Sequence, residues 1–296
     1  MAAITAKLVK ELRDRTGAGM LDCKKALEAT GGNVEEAITW LREKGIASAQ
    51  KKEGRIAAEG LTNIVIGDNK AVIVELNSET DFVAKNEQFL SLVETVSNAI
   101  LNNNPQTNED VLALEVDGTT ISDLVINATS TIGEKITFRR FEVLNKDDNQ
   151  VFGSYKHMGG SISAIVVVEG DNEEIAKDMA MQIASMNPTY VSMKDIPQEI
   201  MEKEQEIQVN IVKNDPELSS KPEKVIEGII RGRVSKSMQE VSLMDQIFFK
   251  DGSSKVAQVL KEANTNVVSF VRFAVGEGIE KREENFAEEV AKASQV

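Results

Sequence analysis

The segment Glu79-Thr80-Asp81-Phe82-Val83-Ala84-Lys85-Asn86 sets one carboxylate directly beside one large aromatic ring. An exposed phenylalanine next to an aspartate has no enzymatic role of its own. The pair suits a wedge, in which the ring enters a partner's pocket and the charge disturbs what was bound there. The competing reading makes Phe82 a core residue and Asp81 or Thr80 a local cap. On the local residues alone both readings stand.

Other chemistry is scarce. The chain has a single histidine, His157, so no histidine pair can hold a metal and no second histidine can complete a triad. No Walker-type G-x-x-x-x-G-K-[ST] occurs, no G-x-G-x-x-G follows a strand, and no G-x-S-x-G is present. His157 falls at a hairpin end, where a satisfied turn histidine is the default and general acid–base work the exception. A protein with docking surfaces and no covalent chemistry is the stronger class, and an enzyme the weaker.

The elements that must position the Asp-Phe pair can be read from pattern. Residues 61–76 form a hairpin around Gly67-Asp68-Asn69, and a helix follows over about 86–102 with Phe89, Val93, Val96 and Ile100 on its buried face. Asn102-Asn103-Asn104-Pro105 ends it. Thr80–Val83 therefore sits at a strand-to-helix junction, a common place for function. Upstream, residues 1–45 read as a three-helix unit resembling the ubiquitin-associated fold. Thr5 caps the first helix, Gly17 ends it, the second runs over about 22–29, and Asn33 opens a third that Gly45 closes. The Met20-Leu21 pair lies in the turn between the first two helices, as bundle core or as an apolar patch for a partner's helix. Cys23 reads as a small buried residue rather than a reactive thiol. Residues 46–60 read as a helical tail or linker.

The second half repeats the first. A hairpin (151–168) turns at Met158-Gly159-Gly160, a helix spans about 172–185, and a strand ends in Phe270-x-Arg272-Phe273-x-Val275. That ending matches Phe138-x-Arg140-Phe141-x-Val143 of the first half and points to internal duplication. The fold class is α+β, with two similar half-domains, 61–145 and 150–187 plus 240–275, each an antiparallel sheet covered by helices. The segment 188–239 reads as an inserted antiparallel helical hairpin broken at Asn214-Asp215-Pro216. Ile196, Ile200, Ile207 and Ile211 line one helix, and Val225, Ile226, Ile229, Ile230 and Val234 the other. It packs on a second copy of the chain, on a partner, or back on its own domain. Residues 276–296 read as a C-terminal helical tail.

Composition bounds the partners. The 296 residues are 41% hydrophobic and 28% charged, enough for ordinary cores, and carry a net charge of −14. Such a chain binds nucleic acid poorly unless its basic residues cluster. Lys24-Lys25 and Lys51-Lys52 are short groups beside acids and read as solvated faces. One cysteine excludes an intramolecular disulfide and fits a reducing cytoplasm. Charged residues from Lys7 to Arg15 occupy the place of a signal peptide's apolar run. The longest apolar run, 164–168, is too short to span a bilayer. A soluble cytoplasmic protein is expected.

Three stretches carry a family resemblance: residues 12–27, with Thr16-Gly17-Ala18-Gly19-Met20-Leu21-Asp22-Cys23-Lys24-Lys25 at their centre; residues 79–86; and Val271-Arg272-Phe273 with Gly276-Glu277-Gly278-Ile279. In content and order they resemble the bacterial elongation factor Ts family over essentially the whole chain. Leu21 stands where the family often has a second methionine, and Ser161-Ile162-Ser163 where a basic residue and glycine are common. The resemblance implies guanine-nucleotide exchange on the GTPase elongation factor Tu during translation. It implies docking of the N-terminal unit, with Leu12, Met20 and Leu21, on the GTPase domain. Thr80, Asp81, Phe82 and Val83 are then the segment that dislocates Mg²⁺, and His157 a docking residue of the second half, which touches another domain. The helical hairpin then serves dimerisation or auxiliary contacts. No cofactor, metal, direct nucleic-acid contact or membrane is expected for the chain itself. A second reading, an adaptor whose three-helix unit binds helical or ubiquitin-like partners, leaves Thr80–Val83 unexplained.

Overall fold

The computed structural model describes residues 4–280. Helix α1 (Ala6–Thr16) opens on Thr5, whose side chain accepts the Leu8 amide, and closes on Gly17 in the left-handed region at φ 68°. Helix α2 (Met20–Ala29) follows, then α3 (Val34–Lys52), where Asn33 caps the Glu35 and Glu36 amides. Val9, Leu12, Cys23, Ala26, Leu27 and Ala37 form the core of this three-helix unit. Two expectations are corrected here. Helix α2 begins at Met20, so Met20 and Leu21 occupy its first turn rather than the loop before it. Helix α3 does not stop at Gly45 but runs on to Lys52. A mid-helix glycine costs about 1 kcal/mol, and the packing of α3 along a later helix, α6, outweighs that.

Strands β1 (Glu59–Ile66) and β2 (Lys70–Ser78) are joined by three residues, which leaves only antiparallel pairing. Helix α4 (Glu87–Asn103) starts on Asn86, which accepts the Gln88 and Phe89 amides, and ends on Asn104 at φ 53°. Its expected face, Phe89, Val93, Val96 and Ile100, is buried. Helix α5 (Asn108–Ala113) carries a Thr107–Asp110 capping box, and the short strands β3 (Glu115–Val116) and β4 (Thr119–Thr120) pair before α6 (Ile121–Ile132). Strand β5 (Thr137–Asn145) completes a sheet of order β1-β2-β5.

The second half has the same order. Strands β6 (Gln150–His157) and β7 (Ile162–Glu169) pair antiparallel from Gln150 opposite Glu169 to His157 opposite Ile162. Helix α7 (Glu173–Met186) begins on an asparagine cap, Asn172, and ends on a left-handed asparagine, Asn187, as α4 does. The inserted hairpin is α8 (Gln198–Asn214), the single turn α9 (Pro216–Ser219) and α10 (Glu223–Val241), with α8 packed on α10. Helix α11 (Val256–Glu262) and strand β8 (Val267–Ala274) close a sheet of order β6-β7-β8. The two F-x-R-F-x-V endings thus begin on the third strand of each sheet, which supports the duplication. Ala164, Val166, Val168, Met179, Ile183, Leu243, Phe248 and Leu260 share the core of this half.

The chain divides into two compact units. One contains residues up to 65, 74–142 and from 273; the other contains 66–73 and 143–272. The predicted tail helix lies, from residue 281 on, outside the described residues.

Candidate functional site

Strand β2 ends at Ser78, and the next six residues are held at both ends. Upstream, Ser78 Oγ donates to the Thr80 carbonyl at 2.9 Å. The Glu134 carboxylate, in the loop between α6 and β5, takes both polar hydrogens of Thr80: the amide at 3.0 Å and the hydroxyl at 2.6 Å. The exchange is mutual, because Glu79 accepts the Lys135 amide at 2.6 Å and a guanidinium bond from Arg55 at 3.2 Å. Downstream, Val83–Lys85 forms a single 3₁₀ turn with Val83 and Ala84 buried, and the Asn86 amide closes on the Val83 carbonyl at 2.9 Å.

Between these anchors Phe82 is 79% exposed. The core reading of Phe82 is therefore overturned: the 3₁₀ turn faces Val83 and Ala84 inward and the ring outward. The cap reading of Thr80 and Asp81 fails too, since Thr80 binds Glu134 and Asn86 does the capping. Asp81 pairs with Lys85 at 3.2 Å, with both side chains mostly in water. Such a pair contributes little and exchanges partners freely. The exposed ring offers apolar surface and carries no group for covalent chemistry. Val83, expected among the contact residues, is an anchor instead, because its side chain is turned into the core.

The residues expected to dock the N-terminal unit separate in the same way. Met20 and Leu21 are 53% and 73% exposed, side by side in the first turn of α2. Leu12 has no exposed surface at all. Its place in the apolar stripe of α1 makes it core, and it cannot be a docking residue on this surface. The cleft of roughly 440 Å³ between this unit and α6 is lined by Arg15, Asp22, Arg42, Lys44 and Asp123. Its charges are neutralised internally, Arg42 by Asp123 at 2.6 Å and Lys44 by Asp22. Cys23 is buried beneath the same unit. Burial pushes its thiol up, against weaker opposition from the Thr16 hydroxyl.

In the second unit His157 is half-buried at the end of β6, with Nδ1 3.3 Å from the Tyr155 hydroxyl. Its neighbour Met158 is 77% exposed at φ 46°. This methionine was not among the expected contact residues, though an apolar residue beside Gly159-Gly160 at a hairpin tip has nowhere to be buried. On the inserted hairpin Ile196 is buried at the base, while Ile200, Ile207 and Ile211 are each more than 40% exposed.

One further polar centre belongs to the first unit. The Glu75 carboxylate is fully buried, bound by Arg139 at 2.8 Å, Arg140 at 2.6 Å, Asn77 at 3.1 Å and the Gly276 amide at 2.8 Å. Burial pushes this carboxyl up, but the four donors more than offset it and hold it below the usual carboxylate range. Arg140 also lies over the Phe273 ring, 4.1 Å from its centroid. Half of the F-x-R-F-x-V motif is thus explained by a buried carboxylate 65 positions away. Among the described residues no three His, Cys, Asp or Glu gather as a metal site, and no helix is long and apolar enough to cross a membrane.

Comparison with known proteins agrees with this architecture. A family profile described as Elongation factor TS matches residues 79–277, which takes in the Thr80–Val83 junction, strand β5 of the first sheet, the whole second sheet and the helical hairpin. Over 288 residues the chain is 54% identical to elongation factor Ts of Acholeplasma laidlawii and 49% identical to that of Spiroplasma citri, covering 97% of each partner in both alignments. It is 48% identical over 292 residues to elongation factor Ts of Oenococcus oeni, covering 99% of both chains. With the matched profile covering residues 79–277 and these identities sustained over nearly the full length, the chain belongs to the elongation factor Ts family of translation elongation factors.

Proposed function

We propose that this chain is a cytoplasmic guanine-nucleotide exchange factor that binds elongation factor Tu in its GDP form and promotes GDP release. The observation that carries the reading is Phe82, 79% exposed on a junction anchored at both ends. A large ring held out in water gains nothing for its own fold, and it gains a great deal by entering a pocket. Asp81 beside it, in a mostly solvent-exposed pair with Lys85, acts on the groups around the nucleotide's Mg²⁺. That ion bridges phosphates and protein, so disturbing it removes a large local charge. The factor itself needs no covalent chemistry. By linkage, favouring the nucleotide-free GTPase weakens nucleotide binding by the same free energy, and each ~1.4 kcal/mol is a factor of ten.

The other surfaces take supporting roles. Met20 and Leu21 dock the three-helix unit on the GTPase domain. The β6–β7 tip, with His157 and Met158, touches another domain. The exposed isoleucines of α8 meet a second copy of the chain.

Release of a fluorescent GDP from elongation factor Tu tests the reading. The wild-type chain should accelerate it strongly, and Phe82→Ala should lose most of that acceleration while still binding the GTPase. Acceleration that survives Phe82→Ala moves the mechanism to Asp81 or the docking surfaces. Binding without any acceleration would leave an adaptor.

A further inference from the structure

We infer that Glu134 is the positioning residue of the Asp81-Phe82 wedge, setting the ring's direction through its two hydrogen bonds to Thr80; this deepens the exchange reading and rests on it.

The argument starts from what can hold an exposed ring still. Phe82 is 79% exposed, so little packing of the ring supports its backbone and its direction depends on the residues either side. The downstream side is secured by the buried Val83 and Ala84 and by the Lys85 amide on the Phe82 carbonyl at 3.1 Å. That turn fixes where the segment ends but not how it arrives. The Asp81–Lys85 pair is mostly in water and cannot serve. The arrival is set at Thr80, where backbone and side chain are held by the two oxygens of one half-buried carboxylate 54 positions away. Charge-assisted bonds of this kind are among the stronger ones. A bidentate grip fixes orientation as well as position.

Without Glu134 the Thr80 amide and hydroxyl lose their acceptor and only the Ser78 bond to the Thr80 carbonyl, at 2.9 Å, remains of the upstream contacts described above, so more of the ring's ordering falls at the moment of binding. Pre-organisation lowers that cost. The neighbouring Glu79–Lys135 bond, at 2.6 Å, and the Lys135 side chain on the Glu53 and Arg55 carbonyls do not involve Glu134. The two loops therefore stay joined when Glu134 is changed.

The test is GDP release from elongation factor Tu as a function of factor concentration, which separates the maximal rate from the half-saturating concentration. Glu134→Ala should lower the maximal rate roughly three- to tenfold, the scale of the net contribution of one ordinary hydrogen bond, since the Ser78 bond to Thr80 and the downstream turn remain. It should leave half-saturation nearly unchanged, because docking through Met20 and Leu21 is untouched. Glu134→Gln should stay within about twofold of wild type: its oxygen accepts the Thr80 amide and its NH₂ donates to the Thr80 hydroxyl. Thr80→Val, which removes one of the two bonds from the other side, should reproduce part of the loss. Glu134→Ala added to Phe82→Ala should slow exchange no further, since there is then no ring to position.

An unchanged rate in Glu134→Ala would overturn the proposal. So would an equal loss in Glu134→Gln, or a loss that adds in full to that of Phe82→Ala. These outcomes are distinct from failure of the exchange reading itself, which would appear as no acceleration by wild type or full acceleration by Phe82→Ala. In that case the positioning role falls with it.

Discussion

Single side chains in this protein divide into those that hold the fold and those that face outward, and the two sets respond differently to change. Phe82 is of the second kind. Its truncation should alter stability by no more than about 0.5 kcal/mol, because little of the ring is buried, yet exchange should fall sharply. Thermal unfolding beside the GDP-release assay checks that separation. Glu75 is of the first kind. Glu75→Gln leaves Arg139 and Arg140 facing a neutral amide and should cost about 3 kcal/mol at neutral pH, as breaking a buried ion pair does. The pH dependence follows from the direction of its shift. A carboxyl lowered in the folded state contributes stability that is fully present above the unfolded value of about 4.3. That stability is lost as pH falls through the lower, native value. Denaturant unfolding should thus show wild type and Glu75→Gln converging below about pH 4. A gap that stays constant down to pH 2 would remove the carboxylate's charge from the account.

At the scale of elements, two glycines make opposite predictions. Gly45 lies inside α3, where an added Cβ would meet Ser130 Cβ at 3.6 Å, an ordinary contact. Gly45→Ala should stabilise the protein by about 0.5–1 kcal/mol through helix propensity alone. Gly153 lies in β6 beneath α7, and a Cβ there would come within 2.0 Å of the Ala176 carbonyl oxygen. Backbone cannot yield as a side-chain tip can, so Gly153→Ala should cost about 3 kcal/mol or more. Urea midpoints of the two variants should move in opposite directions. The sequence pattern places Gly45 at a helix end and Gly153 inside a hairpin strand, and says nothing of the room around either. Only the packing of α3 on α6 and of α7 on β6 distinguishes them. For the same reason the helix-closing role expected of Gly45 fails while that of Gly17, in the left-handed region, holds.

At the scale of the molecule, the inserted hairpin presents Ile200, Ile207 and Ile211 along one line of α8, spaced by one heptad and one further turn. The packing of α8 on α10 leaves this stripe in water, and a second hairpin would cover it as in a coiled coil. Sedimentation equilibrium should find the wild-type chain self-associating and Ile207→Glu monomeric. Exchange per chain should be largely kept in Ile207→Glu, because the hairpin is remote in sequence from both Thr80–Val83 and α2. A monomeric wild type would assign the stripe to a different partner.

What the sequence determined by itself was whatever depends on near neighbours. Helix starts at Thr5, Asn33 and Asn86, the two hairpins, the broken helical insertion and the repeated strand endings are set by caps, turn residues and periods of two or 3.6, all written within a few positions. The Asp-Phe pair could be found at its junction for the same reason. Which way that pair faces was decided only by tertiary structure. Phe82 is as apolar as Leu12, yet the 3₁₀ turn sends Val83 and Ala84 inward and leaves the ring in water, while the stripe of α1 buries Leu12 completely. The carboxylate that grips Thr80 lies 54 positions on, and the two arginines around Glu75 lie 64 and 65 positions on. No local pattern encodes such distances, because the free energy that selects those partners is gained only when distant segments of the chain are folded against each other.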